Sequence, residues 1–170
     1  MSELIDVPRG LTGVVVAETA IGDVNGEAGI YHYRGIPATD LARERTFEDV
    51  WHLLVVGELP DATTRAAFLD RAAAAAAHPA VDGVVETVLA RTDDPLTALR
   101  AAWPMLASAR GTRPLYDLDE DARLEDAIAF AAIAPRVVAA VAREADPGPT
   151  GPVVSGYLAA LGGIHPDAAH

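Results

Sequence analysis

The sequence predicts a mainly α-helical, multi-helical fold that begins with an antiparallel β-hairpin. Two observations indicate this fold. Apolar residues recur every three or four positions through most of 46–163, which is the period of a helix with a buried face. Before residue 36, short extended stretches flank a cluster of turn-forming residues. We therefore expect one domain over 1–170, with the hairpin in 1–36 and helices in 46–163.

The hairpin is predicted from two extended stretches and the break between them. Residues 13–21 are rich in Val, and residues 30–35 alternate so that two tyrosines fall on one side of a strand. Asp23, Asn25 and Gly26 form the break, because Asn and Gly suit tight reversals. A short third extended segment is expected to follow.

The first predicted helix has clear signals at both of its ends. Thr46 can accept a hydrogen bond from the backbone three residues on, and Glu48 and Asp49 place negative charge in the positive first turn. Gly57 and then Pro60 end the helix. The apolar stripe between these signals is wide, so we expect a largely buried helix.

The later helices are predicted from the same period and from similar end signals. They span residues 61–77, 80–91, 95–111, 119–144 and 153–161. Pro104 and Pro135 lie inside two of them and predict bends, because proline removes a backbone hydrogen bond and clashes with the preceding turn. Residues 111–120 are expected to form a loop, and residues 145–152 a linker or wide turn.

Composition excludes several classes of protein. The chain has 170 residues, no Cys and a net charge of −12, so disulfides, thiolate metal sites and a Cys nucleophile are absent and a reducing cytoplasm is expected. The amino terminus has no charged lead before an apolar block, which argues against export. Residues 127–142 form the longest weakly polar run, and this run is too short to span a membrane.

The basic residues do not form a nucleic-acid-binding surface in the sequence. All thirteen are Arg, and they are dispersed, with Arg43 and Arg45 as the closest grouping. Nucleic-acid binding requires a basic stripe that releases counterions from phosphates. We therefore expect no nucleic-acid partner.

Two groups of side chains are candidates for metal ligands. His165 and His170 are five residues apart, whereas a spacing of four places two imidazoles on one helical face. A second group is acidic and could suggest a cation site, but it lacks the spaced Gly of a calcium-binding loop. The favoured interpretation is that these side chains face water at the start of a helix. This group consists of Asp117, Asp119, Glu120 and Asp121. We expect no metal ligands in the chain.

Other reactive side chains also have a structural interpretation. His32 lies between the hairpin tyrosines and His52 on the flank of an apolar helix, so packed positions are favoured over catalytic ones. Ser108 and Ser155 have no motif that supplies His and Asp partners, and no Gly-rich phosphate loop occurs. Arg136 stands alone in an apolar helix, where it is expected to reach a helix end or a carboxylate, with ligand binding as the alternative.

Five short segments resemble citrate synthases and 2-methylcitrate synthases in order and spacing. They are GVVVAETAI, YRG, DLA, TFEDVWHLL and GELP, all within residues 13–60. A looser similarity continues through DPLTALRAAWPML, LEDAIAFAAIAPRVVAAVAR and VVSGYLAALGGIHPD. The resemblance is to the amino-terminal part of that family. It implies that the chain is a portion of the family's multi-helical large domain.

The resemblance implies an acyltransferase that condenses acetyl-CoA or propionyl-CoA with oxaloacetate to give citrate or 2-methylcitrate and CoA. The family's catalytic His, His and Asp lie in later stretches that these 170 residues lack, so no catalytic, cofactor-binding or metal residue is expected here. No cofactor is implied beyond the acyl-CoA substrate. The matching residues are interpreted as structural, and they are Tyr33, Arg34, Gly35, Gly57, Glu58, Leu59 and Pro60.

Two hypotheses follow from this resemblance. In the first, the chain is an incomplete piece of such an enzyme and is inactive alone. In the second, it is a half-length interaction or regulatory partner that completes a split citrate synthase. The resemblance also implies either a homodimer or a companion chain that supplies the carboxyl-terminal half.

Overall fold

A computed structural model describes residues 10, 13–15, 17–142 and 153–160. Within these residues, three short strands lead into seven α-helices. The strands are β1 (Gly22–Asn25), β2 (Ile30–Tyr33) and β3 (Ile36–Pro37), and the helices are α1 (Ala38–Glu44), α2 (Phe47–Val56), α3 (Ala62–Ala76), α4 (Ala80–Leu89), α5 (Pro95–Arg110), α6 (Glu120–Val141) and α7 (Val153–Ala160). The predicted mainly α-helical fold class is confirmed.

The hairpin is present, but its first strand lies later in the chain than predicted. The described part of residues 13–21 carries no strand, and Asp23 and Asn25, expected in the turn, belong to β1. The side chain of Asn25 accepts a hydrogen bond from the backbone N–H of Ala28, and Gly29 has a φ of +64°. These local contacts place the reversal after Asn25. The predicted strand position is therefore wrong, because the turn fixes which residues pair.

A second, tighter turn joins β2 to β3. Arg34 and Gly35 have φ values of 51° and 79°, and Tyr33 pairs with Ile36 across them. Two central residues with positive φ are typical of the turn whose twist matches antiparallel strands. The rings of Tyr31 and Tyr33 contact edge to face with centroids 5.8 Å apart, which confirms that they share one side of β2.

The short helix α1 was not predicted from the sequence. It has seven residues, no side-chain cap at Pro37, and only Ala38 and Leu41 buried. So few apolar positions give no detectable helical period. Contacts with the sheet therefore define this helix, whereas its own sequence signals do not.

Acidic or hydroxyl caps begin most of the predicted helices. Thr46 and Asp49 form a capping box at the start of α2, which Gly57 ends with a φ of +108°. The carboxylates of Asp61, Asp94 and Asp119 each accept a hydrogen bond from the backbone N–H three residues on, at the starts of α3, α5 and α6. These hydrogen bonds lower the pKa of Asp61 and Asp94.

Helix α6 lies at the centre of the helical packing. Two groups of buried apolar side chains meet on it. The first joins α4, α5 and α6 and contains Val81, Val84, Val85, Val88, Ala98, Ala102, Leu106, Ile133, Val137 and Val141. The second joins α2, α3 and α6 and contains Trp51, Phe68, Ala72, Ala76, Ile128 and Ala132. Pro104 and Pro135 lie inside α5 and α6, and the bends expected at these prolines stay predictions.

The remaining segments connect these helices or extend beyond them. Between α5 and α6 the predicted loop contains one short 3₁₀ turn, Leu115–Asp117, and Arg123 donates to the carbonyls of Leu115 and Leu118. Helix α7 packs against α2 and α6. The predicted linker at 145–152 and the end of the chain after residue 160 lie outside the described residues.

Candidate functional site around helix α2

Buried ionisable side chains of the described chain lie on α2 between Glu48 and His52. Among the described residues, Glu48, Asp49 and His52 are the buried polar or charged side chains, with exposed fractions of 7%, 2% and 3%. Burying such groups is costly unless each has a hydrogen-bonding partner. This part of the chain is therefore the candidate functional site.

Asp49 forms a bidentate ion pair with Arg65 on α3. The Nε and Nη2 atoms of Arg65 donate to the two carboxylate oxygens over 2.5 and 2.8 Å. Burial by itself raises the pKa of Asp49, but the hydrogen bonds and charge of Arg65, together with hydrogen bonds from Thr46, outweigh burial and hold the pKa below its usual value. Both oxygens are thus engaged in joining α2 to α3.

His52 joins α2 to the segment that follows it. Its Nδ1 lies 2.8 Å from the backbone carbonyl of Glu58, and since a carbonyl only accepts, Nδ1 carries the proton and donates it. The imidazole also contacts the ring of Phe68 edge to face, with centroids 5.1 Å apart. The packed position predicted for His52 is confirmed.

The two signature segments, residues 33–35 and 57–60, which carry the resemblance described above, meet at the end of α2. The Nη2 of Arg34 donates to the carbonyl of Leu54 over 3.0 Å, and a Cβ on Gly57 would lie 4.0 Å from the Arg34 guanidinium carbon. Leu54 is in the last turn of α2, where carbonyls lack helical partners and the helix dipole is negative. The guanidinium therefore caps this helix end. Beyond Gly57, Glu58 is exposed, Leu59 is half-buried and Pro60 is buried.

Glu48 contacts a distant part of the chain. Its Oε1 accepts a hydrogen bond of 2.9 Å from the backbone N–H of Val153, the first residue of α7. The sequence alone predicts only an interaction of Glu48 and Asp49 with the helix dipole. Asp49 precedes the apolar Leu53 by four residues, so the two lie on the same face of the helix. A carboxylate on a buried face needs a cationic partner, and this pattern is a signal that the sequence offers. No local signal indicates the contact of Glu48, which crosses 105 residues.

Arg136 bridges three helices. Its Nη1 donates to the carbonyl of Ala76 at the end of α3 over 2.6 Å, and its Nη2 lies 2.9 Å from the carboxylate of Asp82 on α4. The prediction that Arg136 reaches a helix end or a carboxylate is confirmed, since it reaches both.

The other candidate residues are spread over the described structure. His32 is half-buried in β2, Ser108 is exposed on α5, and Ser155 is half-buried in α7. The acidic group at the start of α6 is exposed, and its Asp119 caps that helix. Among the described residues, no three His, Asp or Glu side chains lie close enough together to hold a metal ion. His165 and His170 lie outside them.

A helix that crosses a membrane must be both long and apolar. Within the described ranges, every helix is too short or too polar to cross a bilayer.

Comparison with known proteins places this arrangement in a family. The family model described as citrate synthase, C-terminal domain, matches residues 10–167. The chain belongs to the citrate synthase family. It is 36% identical over 143 residues to the citrate synthase of Haloferax volcanii, covering 81% of this chain and 37% of that protein. It is 35% identical over 145 residues to the 2-methylcitrate synthase of Mycobacterium tuberculosis, covering 82% and 34%.

Solved citrate synthases share the fold of this family member. The citrate synthase of Thermoplasma acidophilum, in a ternary complex with carboxymethyl coenzyme A and oxaloacetate, matches with a TM-score of 0.78 and 19% identity over 91% of this chain and 42% of that one. The citrate synthase of Pyrobaculum aerophilum matches with a TM-score of 0.73 and 27% identity over 93% and 42%. The predicted family is confirmed, and the chain spans less than half the length of these relatives.

Proposed function

We propose that this citrate synthase family member supplies part of the helical scaffold of an acyltransferase that condenses acetyl-CoA or propionyl-CoA with oxaloacetate. In this proposal the chain alone is inactive, and residues outside these 170 carry out the chemistry. One observation carries it. The family match extends over 10–167, yet the buried ionisable side chains around α2 are engaged in structural hydrogen bonds.

The chemistry of the condensation explains why this observation matters. A base must remove a proton from the carbon next to the thioester, and donors must stabilise the resulting enol and polarise the keto group of oxaloacetate. Asp49 accepts from Arg65, and Glu48 accepts from Val153. His52 donates its Nδ1 proton to a backbone carbonyl. We infer that the base and both histidines of the family's reaction lie elsewhere in the assembled protein.

The relatives support the choice of substrates. The Thermoplasma acidophilum enzyme binds carboxymethyl coenzyme A together with oxaloacetate in its ternary complex. The matched relatives include both a citrate synthase and a 2-methylcitrate synthase at nearly equal identity. We propose oxaloacetate as one substrate and either acetyl-CoA or propionyl-CoA as the acyl donor.

The same proposal includes a cytoplasmic location and a homodimer, without a nucleic-acid or membrane partner. The absence of Cys and the net charge of −12 support this environment and these exclusions.

A companion chain that supplies the rest of a split enzyme is the second candidate. Large apolar side chains are exposed on and just before the β1–β2 hairpin, and a companion surface that covers them would remove them from water. These side chains are Val14, Val15, Ile21, Val24, Ile30 and Tyr31. The size of the native protein, detected with an antibody against residues 46–142, discriminates between the homodimer and the split enzyme. A 17.7 kDa species bound to a second polypeptide supports a split enzyme, whereas one longer polypeptide excludes it.

A complementation assay tests the proposed scaffold function. The chain is mixed with the portion of the Mycobacterium tuberculosis 2-methylcitrate synthase that lies outside the matched segment, and thiol release is followed with oxaloacetate and either acyl-CoA. We expect release only from the mixture. The control replaces the chain by that enzyme's own matched segment. The proposal would be contradicted if this control were active while the chain, shown by gel filtration to bind the same portion of the enzyme, gave no thiol release.

A further inference from the structure

The sequence gives helix α7 no strong capping residue directly before its amino-terminal end. The residue before it is Pro152, which has no side-chain acceptor, and its first turn contains no acidic residue. The helix has eight residues, and isolated helices of this length are marginal in water. Its stability must therefore come from contacts with other helices.

Glu48 supplies the missing cap from α2. Its carboxylate accepts the hydrogen bond from the N–H of Val153, one of the donors that a helix start leaves without a helical partner. A negative charge at this end also interacts favourably with the helix dipole, more strongly when it is shielded from water. Glu48 is 7% exposed. Its charge adds to the hydrogen bond and charge of Asp49, which together raise the pKa of the Arg65 guanidinium.

An apolar contact lies beside this hydrogen bond. The side chain of Val153 packs against the group of buried residues that α2, α3 and α6 share, which includes Trp51 and Phe68. The next residue, Val154, is exposed. The carboxylate of Glu48 and the side chain of Val153 thus both hold the start of α7 to the bundle.

We propose that Glu48 is the docking residue of α7. The helix attaches to the α2–α3–α6 bundle as one unit whose position depends on the Glu48–Val153 hydrogen bond. Among the described elements α7 is the last in the chain, so its position rests on contacts with elements that precede it. The inference goes beyond the proposed function, and its test does not depend on catalysis.

Hydrogen exchange of the full 170-residue chain, resolved by mass spectrometry, tests this inference. In Glu48→Ala the amides of α7 are expected to exchange about tenfold faster or more, while those of α3 to α6 keep their rates, because a charged acceptor of this kind contributes on that order. Glu48→Gln keeps an acceptor oxygen and should restore most of the protection. Glu86→Ala, at an exposed position on α4, is the matched control and should leave α7 unchanged.

A second pair of variants tests the same contact without altering Glu48. Val153→Pro and Val153→Ala both lose the packed valine side chain, but only the proline removes the N–H donor, at a helix position where proline is well tolerated. Docking through Glu48 predicts faster exchange of α7 in the proline variant than in the alanine variant. Equal exchange in this pair, or unchanged protection of α7 in Glu48→Ala, would overturn the inference.

Discussion

Asp49 is the residue at which charge and burial act most directly on stability. Its carboxylate is 2% exposed and accepts two hydrogen bonds from Arg65. The pKa of Asp49 in the folded chain is below its usual value. Ionisation of Asp49 therefore favours folding above the unfolded pKa of about 3.9. That contribution is lost as the pH falls through the lower, folded pKa.

The variant Asp49→Asn tests this pH dependence. We expect it to lower the free energy of unfolding by about 2 kcal/mol at pH 7, because it leaves the Arg65 pair incomplete. The difference from the unchanged chain should shrink as the pH falls below about 4. Urea unfolding followed by tryptophan fluorescence at several pH values measures it, with Asp70→Asn at an exposed position of α3 as the control. A difference that is independent of pH would contradict the ion-pair assignment.

Gly57 is a residue whose backbone conformation a side chain would strain. It ends α2 with a φ of +108°, in a region that residues with a Cβ rarely adopt. Gly57→Ala should destabilise the chain by about 1–2 kcal/mol in urea unfolding. Gly83→Ala is the matched control, because Gly83 lies inside α4 where an added Cβ would meet open space, and it should stabilise the chain by about 1 kcal/mol. Equal effects of the two substitutions would show that the end of α2 is not under this constraint.

At the scale of elements, Arg34 joins the sheet to α2. Its backbone N–H donates to Ile21 and its side chain donates to Leu54, each over 3.0 Å. Arg34→Ala should lower the free energy of unfolding by about 1–2 kcal/mol and speed hydrogen exchange in β2 and β3. Arg43→Ala removes a guanidinium that is 76% exposed and 3.7 Å from Asp40, so its effect should be below about 0.5 kcal/mol. Slower or unchanged exchange in the sheet of Arg34→Ala would contradict this role.

The helices from α2 onward were predictable because their signals are local. Thr46, Asp61 and Asp94 each cap the helix that directly follows them, and Gly57 and Gly111 end helices with positive φ. The position of β1 was not predictable in the same way. The Val-rich run before it suggested a strand, but the hydrogen bond from Ala28 to Asn25 decides where the chain reverses.

The site was less predictable than the helices because its contacts cross the chain. The signature residue Arg34 reaches Leu54 across 20 positions, and Glu48 reaches Val153 across 105. Sequence periodicity shows which face of a helix is buried, but it does not show which distant group meets a buried carboxylate. The family resemblance indicated that these segments matter, and the structure shows the hydrogen bonds through which they join.

At the scale of the whole molecule, the described chain is a helical bundle around α6 whose buried charges stabilise contacts between helices. Two apolar groups meet on α6, and the ion pair of Asp49 and the contact of Glu48 join α2 to its neighbours. A bundle of this kind can position catalytic groups that lie elsewhere. We propose that the base and the donors that an acyl-CoA condensation needs lie outside this bundle.

Thiol release by the 170-residue chain alone, with oxaloacetate and acetyl-CoA or propionyl-CoA, tests this central claim most directly. The assay requires that circular dichroism first shows the chain to be helical, and that the Mycobacterium tuberculosis 2-methylcitrate synthase is active under the same conditions. The account predicts a rate equal to that without protein. A rate that is proportional to the concentration of the chain would contradict it.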